Sequence, residues 1–233
     1  MLELIMNLDF FEFGDQGTPI VFLHGWQQDK KSFSALVPYL FKTNHLYLLD
    51  LPGFGKSKLP NDNYTSYDYA EEVVEWLKKN KLTEVILVGH SFGGKIATIV
   101  ANKYPEIISK LILIANSGIP EDKTYYPFLK YLPQPLKKRF SPLFTSSDYK
   151  NAGKLLPIFK NVVKENLTTE FAKVNKPTLI IWGKNDRQLP MDMSKQINKL
   201  IKNSKLELLP TGHFPFIDKP KEVADLIKNF INL

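Results

Sequence analysis

Val85-Ile86-Leu87-Val88-Gly89-His90-Ser91-Phe92-Gly93-Gly94 is the stretch that decides how this chain folds. Four consecutive apolar residues, three of them β-branched, read as a strand buried on both faces. A Gly-x-Ser-x-Gly turn follows at once. Phe92, Ile96, Val100 and Tyr104 then recur at helical spacing until Pro105 stops the pattern. A serine on so tight a strand-to-helix turn needs small neighbours two residues to either side, and Gly89 and Gly93 supply them. The turn exposes the Ser91 hydroxyl at the end of a strand and at a helix N-terminus, where N–H groups favour developing negative charge. An ordinary glycine-rich turn is the bland alternative; the flanking strand and helix favour a nucleophile.

Working outward, the same rhythm repeats. Ile20–Leu23, Leu46–Leu49, Leu111–Ile114, Thr178–Trp182 and Leu206–Leu209 also read as buried strands. Tyr69, Val73, Val74 and Leu77 share one helical face, and Asp218 with Pro220 reads as the N-cap and first turn of a helix through Val223, Leu226, Ile227 and Phe230. Strands alternating with helices predict an α/β protein with a doubly wound, mostly parallel sheet. Residues 2–13 are expected to add one or two edge strands. Residues 119–170 break the rhythm: no strand signal, six prolines, eight aromatics, and nine basic against five acidic residues. The expected organisation is a core of 1–118 and 171–233 with a small helical cap inserted at 119–170.

A serine hydroxyl needs a base, and the base an orienting acid. His213 lies in Pro210-Thr-Gly-His213-Phe-Pro, directly after the last strand, and Asp186 in Gly183-Lys-Asn-Asp186-Arg, directly after the strand before it. Both fall on the sheet edge that carries Ser91, where open α/β sheets place their sites. Acyl transfer also needs two N–H donors for the oxyanion. Phe92 can give one from its backbone, and Trp26 in Leu23-His24-Gly25-Trp26 the other. His24 is expected to hold that loop by a hydrogen bond, His90 to pack beside the turn, and His45 to be incidental.

Composition removes other chemistries. The chain has no cysteine, which excludes disulfides, thiolate catalysis and Cys-ligated metal and fits a reduced, cytoplasmic compartment. Four histidines leave little for a metal site, and none is expected. Met1–Met6 holds an acid and no basic residue, so it does not read as a signal peptide, and no apolar run approaches the ~20 residues of a membrane span. A net charge of +7 keeps nucleic acid or an acidic partner in view. However, +4 of it falls within 119–170, outside any recognisable nucleic-acid module. Two phosphate-loop look-alikes fail: Asp50 stands where Gly53-Phe-Gly-Lys56-Ser57 needs a glycine, and Ile96 where Gly89-x4-Gly94-Lys95 needs a hydroxyl.

These pieces together resemble the α/β-hydrolase fold superfamily: LHGW at 23–26, DLPGFGKS at 50–57, GHSFGG at 89–94, KYPE at 103–106, Asp186, and TGHFP at 211–215. The resemblance implies Ser91 as nucleophile, Asp186 as acid, His213 as base, Trp26 and Phe92 as oxyanion donors, no cofactor, and a cap between the sixth and seventh strands. Dehalogenase and epoxide-hydrolase relatives carry Asp as nucleophile, against Ser91. The expected activity is hydrolysis of small to medium carboxylic esters, with Tyr125, Tyr126, Phe128, Tyr131 and Arg139 of the cap lining the pocket. Cleavage of activated carbon–carbon bonds, hydrolysis of esters on an acidic carrier protein that meets Lys137, Lys138 and Arg139, and a non-enzymatic receptor on the same fold stay open as alternatives.

Overall fold

A computed structural model describes residues 7–59, 63–119 and 152–233. Tyr125, Tyr126, Phe128, Tyr131 and Arg139, the Lys137–Arg139 basic run, and Met1–Met6 lie outside the described residues. Seven strands form one sheet: β1 (Phe10–Phe13), β2 (Pro19–Leu23), β3 (His45–Leu49), β4 (Val85–His90), β5 (Ile108–Ile114), β6 (Thr178–Gly183) and β7 (Ser204–Leu209). Their spatial order is β1-β3-β2-β4-β5-β6-β7. Only β1 is antiparallel; every other pairing is parallel. All six expected strands are present, and β1 is the edge strand anticipated within residues 2–13.

The helices are α1 (Val37–Leu40), α2 (Ser66–Lys79), α3 (Phe92–Lys103), α4 (Leu156–Val162), α5 (Thr168–Lys173), α6 (Met191–Leu200), α7 (Pro215–Asp218) and α8 (Pro220–Ile231), with a 3-10 segment at Lys30–Leu36. They cover the sheet on both sides, which is why its central strands have no polar face. Along β2, Val21 and Leu23 belong to one apolar cluster with Tyr69, Val73, Ile96 and Ile197. Ile20 and Phe22 belong to the other, with Phe33, Leu36, Val223 and Ile227. Burying both faces supplies the apolar area that drives folding, at roughly 25 cal/mol per Å² removed from water.

Two expectations change. Burial is not uniform among the strands: β7 is only half-buried because it is the outermost described strand, with Lys205 and Glu207 paired at 2.9 Å on its exposed side. Asp218 does not cap α8. Pro215 starts the short helix α7, Asp218 ends it, and its carboxylate accepts from Gly212 N at 3.1 Å. The described part of the 119–170 insertion is helical and falls between the fifth and sixth described strands, one fewer than the family's count. Ile158, Phe159, Val162, Leu167 and Phe171 anchor it in the same apolar cluster as Phe92.

The strand order runs outward in opposite directions from β2, toward β3 on one side and β4 on the other. Open α/β sheets form their crevice beyond the carboxyl ends of strands at such a reversal. The loops after β2 and β4 flank it.

Candidate active site

Ser91 stands between β4 and α3 with φ 49° and ψ −110°. A non-glycine residue in this region carries about 1–3 kcal/mol of strain, and the surroundings must hold it there. Ser91 N donates to Ile114 O at 3.0 Å, while Ser91 O accepts from Gly94 N at 3.1 Å and Ser117 N at 3.2 Å. The glycines are required by contact. A methyl at Gly89 would lie 2.5 Å from Gly93 O, and one at Gly93 would lie 2.1 Å from Leu23 O. The turn is therefore clamped onto the ends of both β5 and β2.

Asp186 and His213 meet directly, His213 Nδ1 lying 2.7 Å from Asp186 Oδ2 with both side chains buried. The other carboxylate oxygen, Oδ1, accepts from Gln188 N at 2.8 Å and Leu189 N at 3.0 Å, which fixes the carboxylate plane. Their loops are locked together at the ends of β6 and β7. Lys184 N donates to Leu209 O, Asn185 N donates to Thr211 O, and a methyl at Gly183 would come within 2.0 Å of Gly212 O. Arg187, next in sequence, is exposed.

The His213 ring reaches the turn through His90, the residue before Ser91. Their ring centroids are 4.8 Å apart, and His90 Nε2 lies 2.9 Å from His213 O. Local sequence gives no sign of this bond, because its partners are 123 positions apart.

Trp26 and Phe92 come together from the other side, with ring centroids 5.3 Å apart. Among the described residues neither backbone N–H is spent on another acceptor. Phe54 and Phe159 complete an aromatic wall, at 5.1 Å and 5.0 Å from the Trp26 ring. Phe159 is the described aromatic of the insertion that reaches the site, and it is buried. An open groove of about 530 Å³, lined by Gln27, Gln28, Asp29, Phe54 and Leu155 among others, lies beside the Trp26 loop.

The loop itself is held by the expected histidine. His24 Nδ1 donates to Gly25 O at 2.8 Å, and Nε2 accepts from Leu51 N at 3.0 Å. Complete burial pulls its pKa down to about 4, so it stays neutral. Asp50 shapes the neighbouring loop: its carboxylate accepts from Lys30 N at 2.7 Å and from Lys30 Nζ and Lys56 N at 2.8 Å each. Burial alone would raise that carboxyl, but the Lys30 ammonium and the two N–H donors hold it below the ordinary range. His45, expected to be incidental, pairs with Glu12 across β1 and β3 at 2.7 Å.

A strand-turn-helix carrying a partly buried serine, with an Asp–His pair on the adjoining loops, defines a hydrolase of the α/β class. The family model for the alpha/beta hydrolase fold matches residues 18–148 and 125–220, and the chain belongs to that family. It is similar to the uncharacterized hydrolase YugF of Bacillus subtilis (29% identical, 91% of this chain and 89% of that protein) and to Lipase 1 of Psychrobacter immobilis (28%, covering 92% and 77%). Its fold is also that of the esterase EaEST from Exiguobacterium antarcticum, with a TM-score of 0.80 at 24% identity over 98% of this chain and 96% of that one. No helix among the described residues is long and apolar enough to cross a membrane.

Proposed function

We propose that this hydrolase cleaves carboxylic esters of small to medium acyl groups through an acyl-enzyme on Ser91. The observation that carries the reading is the 2.7 Å bond between His213 and Asp186 on the loops beside the positive-φ turn of Ser91. Asp186 holds Nδ1–H of His213, leaving Nε2 free to take the Ser91 proton. The Ser91 oxygen attacks the acyl carbonyl, and the unspent N–H groups of Trp26 and Phe92 receive the oxyanion. His213 then passes its proton to the leaving alcohol. In the second half, His213 deprotonates a water, which attacks the acyl carbon and releases Ser91.

The aromatic wall of Trp26, Phe54, Phe92 and Phe159 suits an apolar acyl chain. In this reading residues 119–170 act as the cap of a core formed by 1–118 and 171–233. The lipase and esterase names among the relatives agree with an ester substrate.

A fluorophosphonate probe is expected to label the protein at Ser91, mapped by peptide mass spectrometry. Ser91→Ala and His213→Ala are each expected to lose on the order of 10³-fold or more in turnover of a p-nitrophenyl ester while remaining folded by circular dichroism. Wild-type turnover by Ser91→Ala would overturn the assignment.

A further inference from the structure

We infer that His90, which nothing in the hydrolytic scheme above requires, is a positioning residue that ties the base-bearing loop and the oxyanion loop to the nucleophile turn. The inference rests on reading Ser91, Asp186 and His213 as the reacting group.

His90 ends β4 and its side chain is wholly buried. Its Nε2 donates to the main-chain carbonyl of His213 at 2.9 Å. That bond requires the Nε2–H tautomer and leaves Nδ1 as a bare lone pair. Nδ1 has no hydrogen-bond partner, and it lies so close to Gly25 that a methyl there would stand 2.8 Å from it. The ring is packed against three others as well: His213, Phe214 and Phe216 lie at centroid distances of 4.8, 5.2 and 4.9 Å in tilted or edge-on contacts. One imidazole thus touches the loop after β2, hangs from the last residue of β4, and grips the loop after β7.

The geometry has a direct consequence for His213. Asp186 holds one ring nitrogen but does not by itself set the backbone from which the ring hangs. The bond from His90 fixes that backbone, and the tilted ring-to-ring contact limits the movement of the His213 ring. Together they restrict where Nε2 of His213 can point, and it needs to point at the hydroxyl one residue beyond His90. A charged His90 would defeat this, because an imidazolium forms on His213 at each proton transfer. Burial, and the charge on His213 itself, hold the His90 pKa well below its ordinary value, so it remains a neutral donor throughout.

The test compares wild type, Ser91→Ala, His90→Phe and His90→Gln on p-nitrophenyl butyrate. Phenylalanine keeps the aromatic packing and removes the donor, while glutamine keeps an N–H donor. His90→Phe is expected to lose on the order of 10- to 100-fold in kcat, with KM changed by less than about threefold and the acid limb of kcat/KM displaced. His90→Gln is expected to recover most of that loss. Folded His90→Phe with wild-type kcat and an unmoved acid limb would overturn the inference. Ser91→Ala turning over like wild type would instead strike the reading beneath it.

Nitrogen-15 imidazole spectra of the wild-type protein give a second readout that needs no variant. One histidine, assigned through its coupling to the residue-90 backbone, is expected to stay neutral and Nε2-protonated from about pH 6 to 9. A cationic His90, or the Nδ1–H tautomer, in that range refutes the inference even if His90→Phe fails to fold.

Discussion

At the residue scale, His24 and His90 are wholly buried and neutral, and both carry acid sensitivity. His24 has a pKa of about 4 in the folded protein against 6.5 in the unfolded chain. Between those values the unfolded chain binds the extra proton, so stability is fully present above about pH 6.5 and drains as pH falls. His90 adds a contribution of the same sign. Each proton contributes a slope of about 1.4 kcal/mol per pH unit where it is fully linked. Urea midpoints measured from about pH 7 to 4.5 are expected to fall steeply, and His24→Asn is expected to be less stable at pH 7 but to show a shallower slope. A wild-type midpoint that does not move over that range would contradict the burial of both rings. The placement of Ser91, Asp186 and His213 was legible in the sequence, because each follows a strand in a short loop with glycine nearby. The bond from His90 to His213 was not, since only the closed sheet brings β4 and the loop after β7 together.

At the element scale, the helix that follows Ser91 is tied to the insertion by a buried lysine. Lys95 of α3 is nearly inaccessible, its Nζ donates to Val162 O at the end of α4, and Glu165 Oε2 lies 4.0 Å away. Glu165 in turn accepts from Ser66 N at the start of α2 at 2.8 Å, and Asn102 of α3 donates to the Glu170 carbonyl at 2.7 Å. Burial pulls the Lys95 pKa down from 10.5 to about 8, with Glu165 opposing. A lowered lysine pKa means the folded state binds fewer protons than the unfolded one between about pH 8 and 10.5, so this group's penalty is largest below pH 8 and is relieved as pH rises. Lys95→Met gives up the bond to Val162 O and the pairing with Glu165 at every pH, but it also escapes the burial penalty, so its stability relative to wild type is expected to fall by on the order of 2 kcal/mol between pH 7 and pH 10. Thermal melts of the two proteins at both pH values check it; a gap independent of pH would show that Lys95 is not buried as a strained cation. Sequence reading found the strands and the long helices α2 and α3, whose apolar faces repeat over several turns. It misassigned Asp218 because Asp-x-Pro is a good capping signal, yet Pro215 three residues earlier had already opened α7 and committed that carboxylate to Gly212. The aromatic wall was equally hidden. Phe54 and Phe159 are 105 residues apart, and nothing in either local pattern points to Trp26.

At the scale of the whole molecule, the fold class followed from alternation alone, because a doubly covered sheet requires apolar strands separated by amphipathic helices. That β7 lies at the rim opposite β1 did not follow. Leu206, Leu208 and Leu209 make β7 look like its central neighbours, and only the topology reveals that it has no described partner on its far side. An unpaired strand edge is an open template for another chain. Here Lys205 and Glu207 alternate along it, with Lys205 the more exposed at 65% of its side-chain surface. Replacing both, Lys205→Ile with Glu207→Val, is expected to leave monomer unfolding within about 1 kcal/mol of wild type. The same variant should form soluble aggregates or thioflavin-positive material in concentrated solution, detectable by light scattering. On that expectation the ion pair's worth lies outside folding free energy: two charged side chains on one rim would keep neighbouring molecules from extending each other's sheets, and so set how crowded a solution of this protein could become before it assembles.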